Sequence, residues 1–133
     1  MIEIRNLSKT FQTAGGAVSA LQNISLTVEA GDIYGIIGMS GAGKSTLVRC
    51  INMLERPTSG SVLIDGQDIG SLSEAQLREV RRRVAMIFQS FNLIVNMTAE
   101  ENIELPLIYQ HVEKKERLRR VHDALEKVEE NIE

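Results

Sequence analysis

The sequence predicts an α/β fold: an antiparallel β region, then a truncated parallel core built around a glycine-rich loop, then helices in the carboxyl-terminal portion. Three observations carry this expectation. Residues 1–5 alternate apolar and polar, and Ile24, Leu26 and Val28 repeat the alternation, as strands with one buried face do. Ile33-Tyr34-Gly35-Ile36-Ile37 is an unbroken apolar run of the kind found in strands covered on both faces. A glycine-rich stretch, Gly38 to Thr46, follows it directly, and Leu47, Val48, Ile51 and Leu54 then recur at helical spacing.

The remaining elements follow in order. Thr13-Ala14-Gly15-Gly16-Ala17 is a flexible connection between the first two strands, and Gly31-Asp32 a turn. Pro57-Thr58-Ser59-Gly60 ends the first helix. Val62, Leu63 and Ile64 make a strand, and Asp65-Gly66 signals a hairpin. Ser73 with Gln76 three residues on reads as a capping box opening a helix to about Arg82. Val84-Ala85-Met86-Ile87-Phe88 is a second candidate for a buried strand. Thr98 and Glu101 form another capping box, and Pro106 is expected to limit its helix. From about Glu113 the chain reads as one long helix, with a seam of Leu118, Val121, Leu125, Val128 and Ile132 suited to packing on another helix. This divides the chain into a β region and loop core over 1–95 and a helical portion over 96–133.

Composition narrows the class. With 133 residues, 43% hydrophobic and 25% charged, the chain is long enough for one domain with a core. A net charge of -3 gives no reason to expect a nucleic-acid partner, and the run Arg78, Arg81, Arg82, Arg83 reads as a solvated helix face. Cys50 is the single cysteine, so no internal disulfide forms; it reads as a small packed thiol, in keeping with a reducing cytoplasmic setting. No secretory pattern opens the chain, and no apolar run approaches the ~18 residues that cross a bilayer.

The chemistry concentrates in the loop. Gly38, Gly43, Lys44 and Ser45 satisfy Gly-x-x-x-x-Gly-Lys-[Ser/Thr]. Glycines at these places let successive backbone N–H groups turn inward as an anion nest. The helix starting near Lys44 adds unpaired N–H groups and a positive dipole end. The whole stretch Gly38, Met39, Ser40, Gly41, Ala42, Gly43, Lys44, Ser45 and Thr46 is thus expected to hold the phosphates of a nucleoside triphosphate, with Lys44 on the β- and γ-phosphates and the Ser45 hydroxyl on Mg²⁺.

Other segments carry a family resemblance. Lys9-Thr10-Phe11 resembles the A-loop of ATP-binding cassette (ABC) ATPases, Phe88-Gln89 resembles their Q-loop, and residues 57–66 resemble the segment between. Within that family, residues 33–38, 49–57 and 86–93 are similar to the ATPase subunits of bacterial methionine importers. The likeness covers roughly residues 1–128. It implies ATP and Mg²⁺ as cofactors, Phe11 stacked on adenine with Val18 flanking the base, and Gln89 touching Mg²⁺ or the attacking water. It also implies a transmembrane permease and a second ATPase subunit as partners, at the cytoplasmic face of the cell membrane.

Much that the resemblance implies for catalysis is missing from these residues. There is no apolar strand ending in Asp-Glu, no Leu-Ser-Gly-Gly-Gln signature and no switch histidine, and His111 and His122 read as surface residues. After Val128 the family's continuation gives way to Glu129-Glu130-Asn131-Ile132-Glu133, acidic residues that oppose the dipole at a helix end. The expectation is a truncated or engineered amino-terminal portion that binds nucleotide, turns it over negligibly, and self-associates through unpaired strand edges. A guanine-reading Asn-Lys-x-Asp is absent, which argues against a GTPase, and a small-molecule kinase would need a lid and acceptor pocket. A non-catalytic nucleotide-binding or assembly module is the alternative of a different class.

Overall fold

β1 (Ile2–Thr13) and β2 (Gly16–Val28) form an antiparallel hairpin, both longer than their apolar alternation announces. Polar residues such as Ser8 and Thr10 continue β1 past residue 5 by pairing with β2. The structure, a computed structural model, describes residues 1–129. They divide into two compact units, residues 1–86 and the described residues from 87 on.

In the first unit, β1 also pairs antiparallel with β3 (Ser59–Ile64), and β3 with the short β4 (Gln67–Asp68), giving the sheet order β2-β1-β3-β4. Asp65 and Gly66, with φ of 50° and 79°, make the β3–β4 hairpin turn with both central residues left-handed, as the dipeptide predicts. One face of the sheet supplies Ile4, Leu7, Leu21 and Val62 to a core that α1 (Lys44–Ile51) and α2 (Glu74–Arg81) complete with Leu47, Cys50 and Leu77. Cys50 is fully buried, and that burial pushes its thiol pKa up, as befits a packed side chain.

Several elements differ from their sequence expectations. α1 stops at Ile51, short of Leu54, because Met53 takes a left-handed φ of 54° and ends the helix. Leu54 is therefore half-exposed. Arg81 is no solvated charge: its guanidinium donates to the Asn52 and Met53 carbonyls at 3.0 and 2.7 Å, satisfying acceptors just past the end of α1. The largest departure concerns the two apolar runs. Residues 33–37 and 84–88 form no strand and make no strand pairing, and Ile33, Ile37 and Ile87 are 95% or more exposed. A strand covered on both faces needs parallel neighbours, and among the described residues none pairs with either run.

In the second unit, α3 (Ala99–Tyr109) and α4 (Lys114–Glu129) form a helical pair. Thr98 and Glu101 cap α3 reciprocally, as Ser73 and Gln76 cap α2. Pro106 does not stop α3, which runs on to Tyr109; lying in the last turn, it removes one helical N–H donor near an end that would fray anyway. Glu104 of α3 and Arg117 of α4 pair at 2.9 Å, and Val121 of the seam is buried while Leu118 and Val128 are half-exposed. Ile132, the last seam residue, lies outside the described residues.

On α4, Arg119 and then Arg120 donate to the Glu116 carboxylate and hold its pKa down at about 2. A carboxyl depressed by folding stabilises the helix above its unfolded value and loses that contribution as pH falls through the folded one. Glu116 is thus expected to support α4 fully above its ordinary value of 4.5 and to lose that support on acidification toward about 2. Carboxyl-detected NMR titration should show its midpoint well below the ordinary 4.5; a midpoint at that ordinary value would contradict the Arg119–Glu116–Arg120 cluster.

Candidate nucleotide-binding site

The loop's conformation follows from its glycines. Gly41 and Gly43 adopt φ of 80° and 70°, in the left-handed region that L side chains resist. At Gly43 a Cβ would also stand 2.2 Å from the Ala20 carbonyl oxygen, so the loop is seated directly against β2. Only a residue without a side chain allows that approach.

Gly43 is the N-cap of α1, and it offers no side-chain acceptor to the first turn. No acidic residue lies in that turn either. By contrast, α2 and α3 each have a capping box. The start of α1 therefore presents N–H groups and a positive dipole end without a built-in anion, the arrangement that receives a phosphate. Lys44, first in α1, bends back so that its Nζ donates to the Gly38 and Met39 carbonyls at 2.9 and 3.2 Å. Met39 is 85% exposed, with Ser40, Gly41, Ala42 and Ser45 also exposed and Thr46 half-buried. Ala42 N–H donates to the Met39 carbonyl at 3.2 Å, closing the loop's turn.

Phe11 and Val18, the two residues linked by resemblance to an adenine base, are direct partners across β1 and β2. That juxtaposition depends on register shifts between Ile4 and Leu7, Leu7 and Lys9, and Lys9 and Thr10, which no periodicity in the sequence reveals. Lys9 Nζ lies 4.8 Å from the Phe11 ring centroid, pairs with Glu55 and donates to the Arg56 carbonyl at 2.7 Å. Sequence reasoning quoted Lys9 within the A-loop but gave it no role; its position two residues before Phe11 on one strand face was the available signal. Gln89 is exposed, in a bend of the second unit that also carries exposed Phe88 and Phe91.

A glycine loop seated on a sheet, feeding an uncapped helix whose first residue is lysine, defines the phosphate-loop class of nucleotide-binding α/β domains. The chain belongs to the ABC transporter family, whose model matches residues 21–132. It is 58% identical to the methionine import ATP-binding protein MetN of Mannheimia succiniciproducens over 86% of this chain and 33% of that protein. With MetN of Escherichia coli K12 it shares 52% identity over 94% of this chain and 36% of that protein. The chain thus spans about a third of the length of the curated relatives it matches. Among solved structures, the ATP-binding cassette MJ0796, a dimer in a post-hydrolysis state bound to ADP and Pi, superposes with a TM-score of 0.87 at 37% identity. That match covers 97% of this chain and 57% of the cassette. The chain thus shares the fold of the ABC ATPase cassettes.

Proposed function

We propose that this chain is the nucleotide-binding portion of an ABC importer ATPase that drives methionine uptake. The observation that carries the reading is the uncapped start of α1 behind a glycine loop held against β2, with Lys44 at its head. These residues fit Mg·ATP. Amides from Gly38 to Thr46 would bind the phosphates, Lys44 would exchange its carbonyl partners for phosphate oxygens, and the Ser45 hydroxyl would hold Mg²⁺. When bound, Mg²⁺ would supply charge neutralisation at the phosphates. Phe11 stacks on the adenine, and Val18 flanks it. The importer reading is supported by the names of the MetN relatives. It places the working protein at the cytoplasmic face of the membrane, with a permease and a second ATPase subunit. Among the described residues no helix is long and apolar enough to cross a bilayer, so a permease would supply the translocation path.

A second reading, a non-catalytic nucleotide-binding module that self-associates, is favoured for these 133 residues by the unpaired apolar runs over residues 33–37 and 84–88, which leave Ile33, Ile37 and Ile87 exposed. Both readings share the site, and turnover separates them. Calorimetry with Mg·ATP should show binding, while a phosphate-release assay on the same sample should show negligible hydrolysis, because among the described residues no apolar strand ends in the Asp-Glu pair expected to hold Mg²⁺ and polarise water. Turnover at the rate of a transport ATPase would overturn the second reading, and absence of binding would overturn both.

A further inference from the structure

We infer that Lys9 is a positioning residue for adenine, holding Phe11 so that one ring face alone is open to the base. The inference rests on the reading of Phe11 as the adenine-stacking residue and deepens it. Its basis is geometric. Lys9 and Phe11 lie two apart on β1, so their side chains leave the same face of the strand. The Lys9 ammonium is 4.8 Å from the Phe11 ring centroid, within cation–π range. It is also fixed from behind. Glu55 pairs with it, the Arg56 carbonyl accepts from it at 2.7 Å, and the Lys9 side chain is only 13% exposed. An exposed lysine would wander over several rotamers; this one is tethered at the far end of its stem by the segment that follows α1.

Two consequences follow for a base at Phe11. The ammonium occupies one ring face, so adenine stacks on the other, which gives the stack a defined side. The charge also draws ring electron density toward itself, and the depleted opposite face repels the π-cloud of adenine less. Because Glu55 and Arg56 lie just beyond the C-terminal end of α1, the same helix that offers its N-terminus to the phosphates anchors, through Lys9, the platform for the base. Base and phosphate subsites are thereby linked through α1 and the segment that follows it.

The test compares a ligand with a base against one without. Calorimetry on the full chain should measure Mg·ATP and Mg·tripolyphosphate binding for wild type, Lys9→Met, Lys9→Arg and Phe11→Ala. Lys9→Met keeps the aliphatic stem and removes the charge. It should weaken ATP about two- to fivefold and leave tripolyphosphate unchanged. Lys9→Arg, which keeps a cation able to meet both Glu55 and the ring, should restore ATP affinity. In a Phe11→Ala background Lys9→Met should cost nothing further. Equal weakening of ATP and tripolyphosphate would mean Lys9 merely supports the fold, and the inference would fail. If Phe11→Ala weakens ATP while Lys9→Met does not, the inference fails and the adenine reading stands. If Phe11→Ala has no effect, the adenine reading fails and takes the inference with it. Should Lys9→Met not fold, Glu55→Gln, which removes the charged half of the ammonium's tether, should show ATP-only weakening, and its absence would be equally decisive.

Discussion

Replacing Lys44 by alanine should weaken Mg·ATP binding by about 10- to 100-fold while leaving thermal stability nearly unchanged. The magnitude comes from one interaction with a charged group, worth roughly 1.5–3 kcal/mol, at about 1.4 kcal/mol per tenfold in affinity. The lower part of that range allows for what Lys44 already has. Its ammonium is satisfied by the Gly38 and Met39 carbonyls, so binding exchanges partners and does not pair a bare charge. The stability half of the expectation follows from position: Lys44 contributes no side chain to the hydrophobic core, and alanine is at home in a helix. Lys44→Arg should not restore affinity, because a planar, longer guanidinium cannot occupy the place of a compact ammonium curled over the loop. Calorimetry and a thermal melt on the same preparations decide the matter. An Ala variant that binds Mg·ATP as wild type does would remove the lysine from the site.

What could be read from the sequence, and what could not, divides by the range of the interactions. The loop, both capping boxes and the Asp65-Gly66 turn were legible because each is a local bargain between a side chain or a glycine and backbone groups a few residues away. Residues 33–37 and 84–88 were legible as apolar, but not as unpaired runs that leave Ile33, Ile37 and Ile87 exposed. Apolarity declares that a segment needs cover, whereas cover itself depends on strands elsewhere. Arg81 shows the same limit from the polar side. In the sequence it is one of four arginines on a helix, and only the fold brings it to the carbonyls of Asn52 and Met53. At the candidate site, Phe11 and Val18 could be named only through family resemblance, because the bulged register that makes them neighbours leaves no periodic trace. Lys9 went without a role for a related reason: its tether, Glu55 and Arg56, arrives from a segment far along the chain.

Gly43→Ala should damage fold and binding together, and in this it should differ from the neighbouring Gly41→Ala. Both glycines have left-handed φ, and a Cβ in that conformation costs roughly 1–2 kcal/mol. At Gly41 the cost ends there, since nothing lies within 4 Å of the added atom. At Gly43 the methyl would also stand 2.2 Å from the Ala20 carbonyl oxygen and 3.4 Å from Leu21 Cδ2. The first is backbone in a paired strand and the second belongs to a core side chain, so neither can swing aside as a surface side chain would. The start of α1 has to back away from β2, loosening Leu47 and Cys50 in the core beneath. A total loss of at least about 2 kcal/mol is expected, lowering Tm by about 10 °C in a domain of this size. Because the amides of residues 43–46 move with the helix, Mg·ATP affinity should also fall by at least about tenfold, even at temperatures where the variant is folded. Equal melting temperatures for the two alanine variants would show that the loop is not seated on β2, and the geometric case for a preformed phosphate cradle would then be lost.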